Sequence, residues 1–147
     1  MIAILLSAAL LVSSSLATDF GTCESGAAPI GVRVEGCDAQ PCTFEHGGTV
    51  HVEVDFSVDH DVSHMTPKAV ASVFGVDVNY PLAEKEACNS LINSQCPLES
   101  GDVATYLLEL PITAAIPSIE GIVVSLSLTD SDNDDVLACF GVELNVS

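Results

Sequence analysis

Asp130, Asp132 and Asp134 stand at alternate positions, the spacing with which a calcium loop begins. Such a loop requires glycine at its sixth position and a bidentate glutamate at its twelfth. Asp135 and Gly141 occupy those positions instead, so Asp130 to Asp135 reads as a solvated hairpin turn. His60 and His64 have a spacing compatible with shared metal ligation and have Asp59 and Asp61 beside them. They lie in a polar stretch with no third ligand in register, so they read as surface histidines and no metal site is expected. No serine sits in a G-x-S-x-G elbow. Carboxylates are abundant, yet none is set apart by surroundings that would raise its pKa for general acid work. These residues give no reason to expect catalysis or a cofactor.

The cysteines say more. Cys23, Cys37, Cys42, Cys88, Cys96 and Cys139 form an even set without a C-x-x-C pair or a close Cys/His pairing. In an exported chain such a set reads as three disulfides, and six cysteines allow fifteen pairings in principle. Proximity suggests Cys37 with Cys42 and Cys88 with Cys96, which would leave Cys23 to tie the N-terminal segment to Cys139. No thiol is then left over as a nucleophile. Export itself is read from Met1 to Ala17: the segment is uncharged, has an apolar run from Ile2 to Val12, and carries small residues at Ser15-Leu16-Ala17. It is shorter than the roughly 20 apolar residues that a bilayer requires. Residues 1–17 are therefore expected to be a removed signal peptide, and 18–147 one mature domain.

These groups must be held by strands. From Thr49 to Val58, apolar Val50, Val52, Val54, Phe56 and Val58 alternate with Thr49, His51, Glu53, Asp55 and Ser57. That period of two gives a strand with one dry and one wet face. Ile122, Val124, Leu126 and Leu128 repeat the pattern, as do Val136, Ala138, Phe140, Val142, Leu144 and Val146. Ala104, Tyr106, Leu108, Leu110 and Ile112 share a face of a further strand over Asp102 to Ile112. Dry faces must cover one another, which makes the fold all-β, a sheet-on-sheet sandwich. Shorter strands are expected at Ile30 to Val34, at Cys42 to Glu45 and, interrupted near Gly75, from Ala69 to Tyr80. Asp59 to Pro67 reads as a polar loop, and Pro81 to Gly101 as a long connection with a helical turn near Ala83 to Ala87. Pro111 and Pro117 bracket Ile112 to Ile116 and are expected to break the pairing at both ends, freeing apolar side chains to line something.

Arg33, Lys68 and Lys85 face 21 carboxylates, for a net charge of −18. Nucleic acid is excluded as a partner, because neutralising phosphates requires Lys and Arg, and attraction to anionic membranes is disfavoured for the same reason. Hydrophobic residues make up 48% of the chain, too many for an acidic disordered protein.

Gln95-Cys96-Pro97-Leu98, Leu110-Pro111-Ile112, Ile116-Pro117-Ser118-Ile119 and Asp130 before the Cys139 strand together resemble the ML-domain lipid-recognition family. Gly48 to Phe56 and Val76 to Leu82 match it in pattern. Within the family the chain reads closest to Niemann–Pick type C-2-like secreted members of arthropod type and to group-2 mite allergens. The resemblance implies an immunoglobulin-like sandwich of two antiparallel sheets with an internal apolar cavity, and it supports the pairings Cys23–Cys139, Cys37–Cys42 and Cys88–Cys96. It also implies that Tyr80, Ile112 and Ile116 line the pocket entrance, and that Leu126 stands where relatives have a bulky aromatic. Val54, Phe56, Leu108, Val124 and Phe140 on the dry faces complete the candidate ligand-binding set. Glu120-Gly121 is one residue too many, which reads as a β-bulge.

The function expected is that of a secreted, non-enzymatic, monomeric carrier, acting outside the cell or in the endosomal–lysosomal lumen. It would hold a sterol, fatty acid or other hydrophobic lipid between its sheets and pass it to a membrane or membrane-protein acceptor. The alternative is an innate-immune protein that presents microbial lipid to a receptor. Relatives that do so carry cations near the mouth, and three cations in this chain argue against it.

Overall fold

Alternation dictates the strand around which the others assemble. In the computed structural model, which describes residues 20–23, 27–37 and 41–147, the strand over Thr49–Ser57 buries Val50, Val52, Val54 and Phe56 and leaves the intervening residues half-buried or exposed. The signal peptide expected over Met1 to Ala17 lies outside the described residues. Nine strands are described: β1 (Gly21–Thr22), β2 (Gly31–Val34), β3 (Cys42–Phe44), β4 (Thr49–Ser57), β5 (Met65–Val73), β6 (Val76–Tyr80), β7 (Val103–Pro111), β8 (Ile119–Asp130) and β9 (Val136–Val146). The larger sheet runs β1-β9-β8-β5-β6, with β3 also paired to β9, and the smaller runs β2-β4-β7. All pairings are antiparallel except β3 with β9. The molecule is an immunoglobulin-like β-sandwich whose core is the two facing dry surfaces.

Register carries the dry face of the larger sheet across its strands. Tyr80 opposes Ala69, Ala69 opposes Leu126, and Leu126 opposes Phe140. The next row is Val78, Ala71, Val124 and Val142. Opposed residues project to the same side, so Val76, Val78 and Tyr80 point to the inner face.

Several local expectations change. The segment Ala69 to Tyr80 is two strands, not one interrupted strand. Phe74 (φ 51°) and Gly75 (φ 79°) form a two-residue hairpin turn with both φ angles positive, as a type I′ turn requires. β5 also starts within the expected polar loop, at Met65. The helical turn comes later than expected, as a 3-10 helix over Ala87–Ser90. Pro111 does not stop the ladder: it opposes Thr49, and Ile112 goes on to donate to Gly48 O (2.8 Å) and accept from Gly47 N (2.7 Å). Ile112 is accordingly buried core and does not lie on a free segment. Asp130 ends β8 as a buried carboxylate, so the acidic turn is not solvated throughout. The bulge forms at Glu120-Gly121, where the β8–β9 register shifts between Ile119 and Ile122 and Gly121 takes φ 78°. All three disulfides close as Cys23–Cys139, Cys37–Cys42 and Cys88–Cys96, with no free cysteine.

Candidate functional site

The two dry faces meet in an apolar seam. The smaller sheet contributes Val34, Val50, Val52, Leu108 and Leu110, and the larger contributes Val124, Leu126, Phe140, Val142 and Leu144. The space left between them is about 10 Å³, roughly one water-sized sphere, and its lining offers water no polar side chain. Of the residues expected to contact a ligand, Leu108, Val124, Leu126 and Phe140 line this seam. Val54 and Phe56 lie deeper, in closed core below it. Tyr80, Ile112 and Ile116 sit outside the lining, where β6 and the β7–β8 connection meet the rim. Val34, Val50, Val52, Leu110, Val142 and Leu144 were missed as candidates, although the same alternation that marks Leu108 or Phe140 also marks them.

The two long sides of the sandwich are closed differently. On one side, Cys37 just beyond β2 is bonded to Cys42 in β3, which joins the smaller sheet to the larger. Phe20 also packs edge-on against Phe140 there, with ring centroids 6.0 Å apart. On the other side the edge strands β6 and β7 approach each other, and the Tyr80 hydroxyl donates to the Pro111 carbonyl. Burial raises the Tyr80 pKa, so the hydroxyl remains a donor at neutral pH. Outside this contact, the smaller sheet does not reach over β6. Val76 and Val78 are 62% and 56% exposed despite pointing to the inner face, and Phe74 at the hairpin tip is 90% exposed.

Further ties cross at the ends. His46 Nε2 lies 2.5 Å from Ile116 O and pins the β7–β8 connection. His60, in the β4–β5 crossover, lies between Asp59 (Nδ1 to Oδ1 2.6 Å) and the buried Asp130 (Nε2 to Oδ2 2.9 Å). These carboxylates raise the pKa of His60, Asp59 contributing most, while the hydrogen bond from His60 and then its charge lower that of Asp59. The Asp130 pKa is lowered chiefly by the Asp132 backbone N–H and also by His60. His64 turns away to Glu86 (2.7 Å), so the two histidines do not converge. Among the described residues, no group of three or more His, Cys, Asp and Glu is placed to hold a metal ion.

None of the three cations lines the seam. Arg33 donates to Asp55 (2.5 and 2.9 Å) and Glu53 (3.0 Å) on the outer face of the smaller sheet, and this pairing holds the Asp55 carboxyl below its usual pKa. Lys68 is exposed on the outer face of the larger sheet, opposite Ser127. Tyr106 points inward from β7, and burial pushes its pKa up to about 12.

This architecture has close counterparts among known proteins. The ML domain family model matches residues 17–146. Pig NPC intracellular cholesterol transporter 2 is 33% identical over 139 residues, spanning 92% of this chain and 91% of that one. The Drosophila melanogaster NPC intracellular cholesterol transporter 2 homolog a is 29% identical over 140 residues, with 92% and 91% covered. The crystal structure of a Niemann-Pick type C2 protein from the Japanese carpenter ant superposes with a TM-score of 0.76 at 20% identity, covering 88% of this chain and 99% of that one.

Proposed function

We propose, from the premise that this chain belongs to the ML-domain family, that it is an exported carrier which takes one sterol or comparable long-chain lipid between its sheets and delivers it to a membrane or membrane-protein acceptor. Membership makes it a non-enzymatic, lipid-binding domain. Its three closed disulfides suit an oxidising compartment, either the extracellular medium or the endosomal–lysosomal lumen. Removal of residues 1–17 on export and action as a monomer are part of the proposal. Sterol as cargo is carried over from the name of the pig relative.

The observation that carries the reading is the unequal closure of the apolar seam: covalent on the β2–β3 side, and on the β6–β7 side held among the described residues by non-covalent ties alone, the Tyr80–Pro111 bond and a connection that bonds to β5 and β7, beside an uncovered apolar edge. Ligand pockets are typically about 300–1,000 Å³, so the seam must widen to be filled. Three strands by four residues present roughly 190 Å² per face, and parting the faces by about 3 Å opens roughly 550 Å³. Water would not fill so apolar a space well, whereas a lipid gains about 0.8 kcal/mol for each CH₂ withdrawn from water. The exposed Phe74, Val76 and Val78 continue the inner face outward and form the surface offered to an acceptor. With a net charge of −18, that acceptor is not an anionic bilayer. Presentation of anionic microbial lipid gains little support, since Arg33 is tied to two carboxylates, Lys68 lies on the far face, and Lys85 alone is exposed on the connection beside the open side.

Native mass spectrometry of the delipidated protein incubated with cholesterol tests this directly. One sterol per chain is expected. A protein that stays empty with cholesterol and with long-chain alcohols and acids is a filled-core sandwich and not a carrier.

A further inference from the structure

β6 is a free edge of the larger sheet, and no described segment pairs with its outer side. The geometry points to this edge as a contact between two copies of the chain, paired antiparallel about a two-fold axis at Val78. The inference goes beyond the carrier reading and does not rest on it. The monomer proposed above as the acting form is the dissociated state of this pair.

Edge strands of natural proteins are guarded against such pairing by proline, lysine, a bulge or a covering segment. β7 has that protection. Ile92 N donates to Thr105 O (3.1 Å), Asn93 Oδ1 accepts from Thr105 N (2.8 Å), and the strand ends at Pro111. Val76–Tyr80 has no proline, no lysine and no bulge. Its one charge, Asp77, already accepts from the Ser72 hydroxyl. The chain carries a net charge of −18, yet Asp77 is the single charged residue from 73 to 83. Two copies therefore approach here with little like-charge repulsion at the contact.

The strand also specifies a register. Val73 and Val76 flank a two-residue turn, which makes them a hydrogen-bonded pair. Bonded and non-bonded pairs alternate, so Val76, Val78 and Tyr80 spend their backbone groups on β5, while Asp77 and Asn79 direct theirs to the open edge. An axis at Val78 sets Asp77 of each copy opposite Asn79 of the other, and these two pairs exchange four backbone hydrogen bonds. An axis at Asp77 would set two carboxylates directly opposite, which is destabilising. An axis at Asn79 would set Asp77 against Pro81, which has no N–H to give. The Val78 register alone uses both open residues fully. Opposed residues project to the same side, so Val78 meets Val78 of the other copy and Val76 meets its Tyr80. That covers part of the apolar edge each monomer leaves exposed. Pro81 and the turn at Gly75 end the ladder, and the two-fold contact closes at two copies. Five strand residues span about 17 Å, and a sheet with its side chains is about 10 Å deep. Each copy thus covers on the order of 200 Å², far below the roughly 800 Å² per partner of a stable interface. The pair is accordingly weak and forms in concentrated protein.

Sedimentation velocity of the full chain from about 10 µM to 2 mM should follow a monomer–dimer isotherm, half-associated on the order of 0.1–1 mM. Asn79→Pro removes an edge N–H that β5 does not use, and should weaken association by about tenfold while leaving circular dichroism and melting temperature little changed. Asn79→Lys, which faces Asp77 of the other copy, should tighten association by about fivefold. Thr43→Lys adds the same charge on the exposed side of β3 and should leave association nearly unchanged. Cross-linking checks the register separately. Residues of a non-bonded pair have Cα atoms about 4.5 Å apart, within reach of a disulfide, so Val78→Cys should oxidise to a covalent dimer about tenfold faster than Val76→Cys. A chain that stays monomeric to about 2 mM overturns the contact, and so does association that Asn79→Pro leaves intact. Equal tightening by the two lysine variants, or equal cross-linking of the two cysteine variants, overturns the register at Val78. None of these readouts involves a lipid, so their failure is distinct from failure of the carrier reading.

Discussion

The two long sides of this sandwich bury similar side chains and are fastened by different chemistry. Where β2 faces β9, the Cys37–Cys42 bond joins the sheets and Phe20 packs on Phe140. Cys23–Cys139 fastens the lead-in segment to the opposite face of β9. Where β6 faces β7, Tyr80 reaches Pro111 and the inner face of β6 stands largely uncovered. Cys88–Cys96 lies wholly within the β6–β7 connection and joins no strand of one sheet to the other. A sandwich fastened this way can open like a book, with its spine at the Cys37–Cys42 bond. The difference shows how a small domain can be stable and still have a reachable interior: strength is placed on one side and access on the other.

The largest expected effect comes from the longest-range bridge, which fastens the lead-in segment to β9. Replacing both Cys23 and Cys139 by alanine removes a bridge of sequence separation 116. In the chain-entropy model such a loop contributes about 4–5 kcal/mol, a large part of the 5–15 kcal/mol that holds a typical domain together. A melting temperature about 15 °C lower, or no cooperative transition at all, is expected from calorimetry. A loss of only one or two degrees would show that the lead-in segment is held to β9 by pairing and packing and not by the bond.

A smaller effect, dependent on pH, is expected at the end of the sandwich. His60 bridges Asp59 and Asp130 and has its pKa raised, so it favours the fold most strongly where it is protonated. Its contribution is complete below the unfolded-state value near 6.5 and fades as pH climbs through the raised folded value. The two aspartates have lowered pKa values, so their part is complete above the unfolded value near 3.8 and fades in stronger acid. His60→Ala should therefore lower the melting temperature at pH 5 and pH 7 and make progressively less difference toward pH 9 and above. A deficit that stays constant or grows over that range would mean that His60 acts by packing alone. His64, paired with Glu86, and Asp132, Asp134 and Asp135 are the other titratable groups nearby.

What could be read from the sequence follows from how each feature is encoded. The dry faces of β4, β8 and β9 were legible because a period of two survives wherever one side of a strand is wet, as with Glu53 and Asp55 between buried Val52, Val54 and Phe56. The β5–β6 hairpin was only half legible. Gly75 signalled a turn, but nothing about Phe74 announced the positive φ that completes it. Tyr80–Pro111 and His60–Asp130 join residues 31 and 70 positions apart, pairings set by register between sheets that no local pattern records. The free segment expected at Ile112 was misjudged because Pro111 was taken as the end of a ladder. A proline at the end of edge strand β7 costs little there, and the chain resumes its bonds one residue later. The seam residues were legible as a class, but the closeness of the sheets was not, since it depends on how both faces interdigitate.

The smallest effect on stability, and the sharpest test of the open side, is expected at Val78. Its side chain is more than half exposed, so Val78→Asp should change folding free energy by no more than about 0.5 kcal/mol. Yet Val78 heads the row that runs through Ala71 and Val124 to Val142, and Val124 and Val142 line the seam. If cargo leaves along that row into an acceptor pressed against β6, an aspartate there must be desolvated at the moment of contact, which is costly for an unpaired carboxylate. Transfer of dehydroergosterol from the protein to neutral phosphatidylcholine vesicles, followed by fluorescence, should slow by about tenfold while the equilibrium affinity changes little. Asn79→Asp is the matched control: it adds the same charge one residue away, on a side chain directed to the outer face of the same strand. Equal slowing by both variants would assign the effect to net charge alone. Slowing by neither would mean that lipid leaves the sandwich by some route other than the β6 edge, and the contrast between a fastened side and an open side would then have no bearing on delivery.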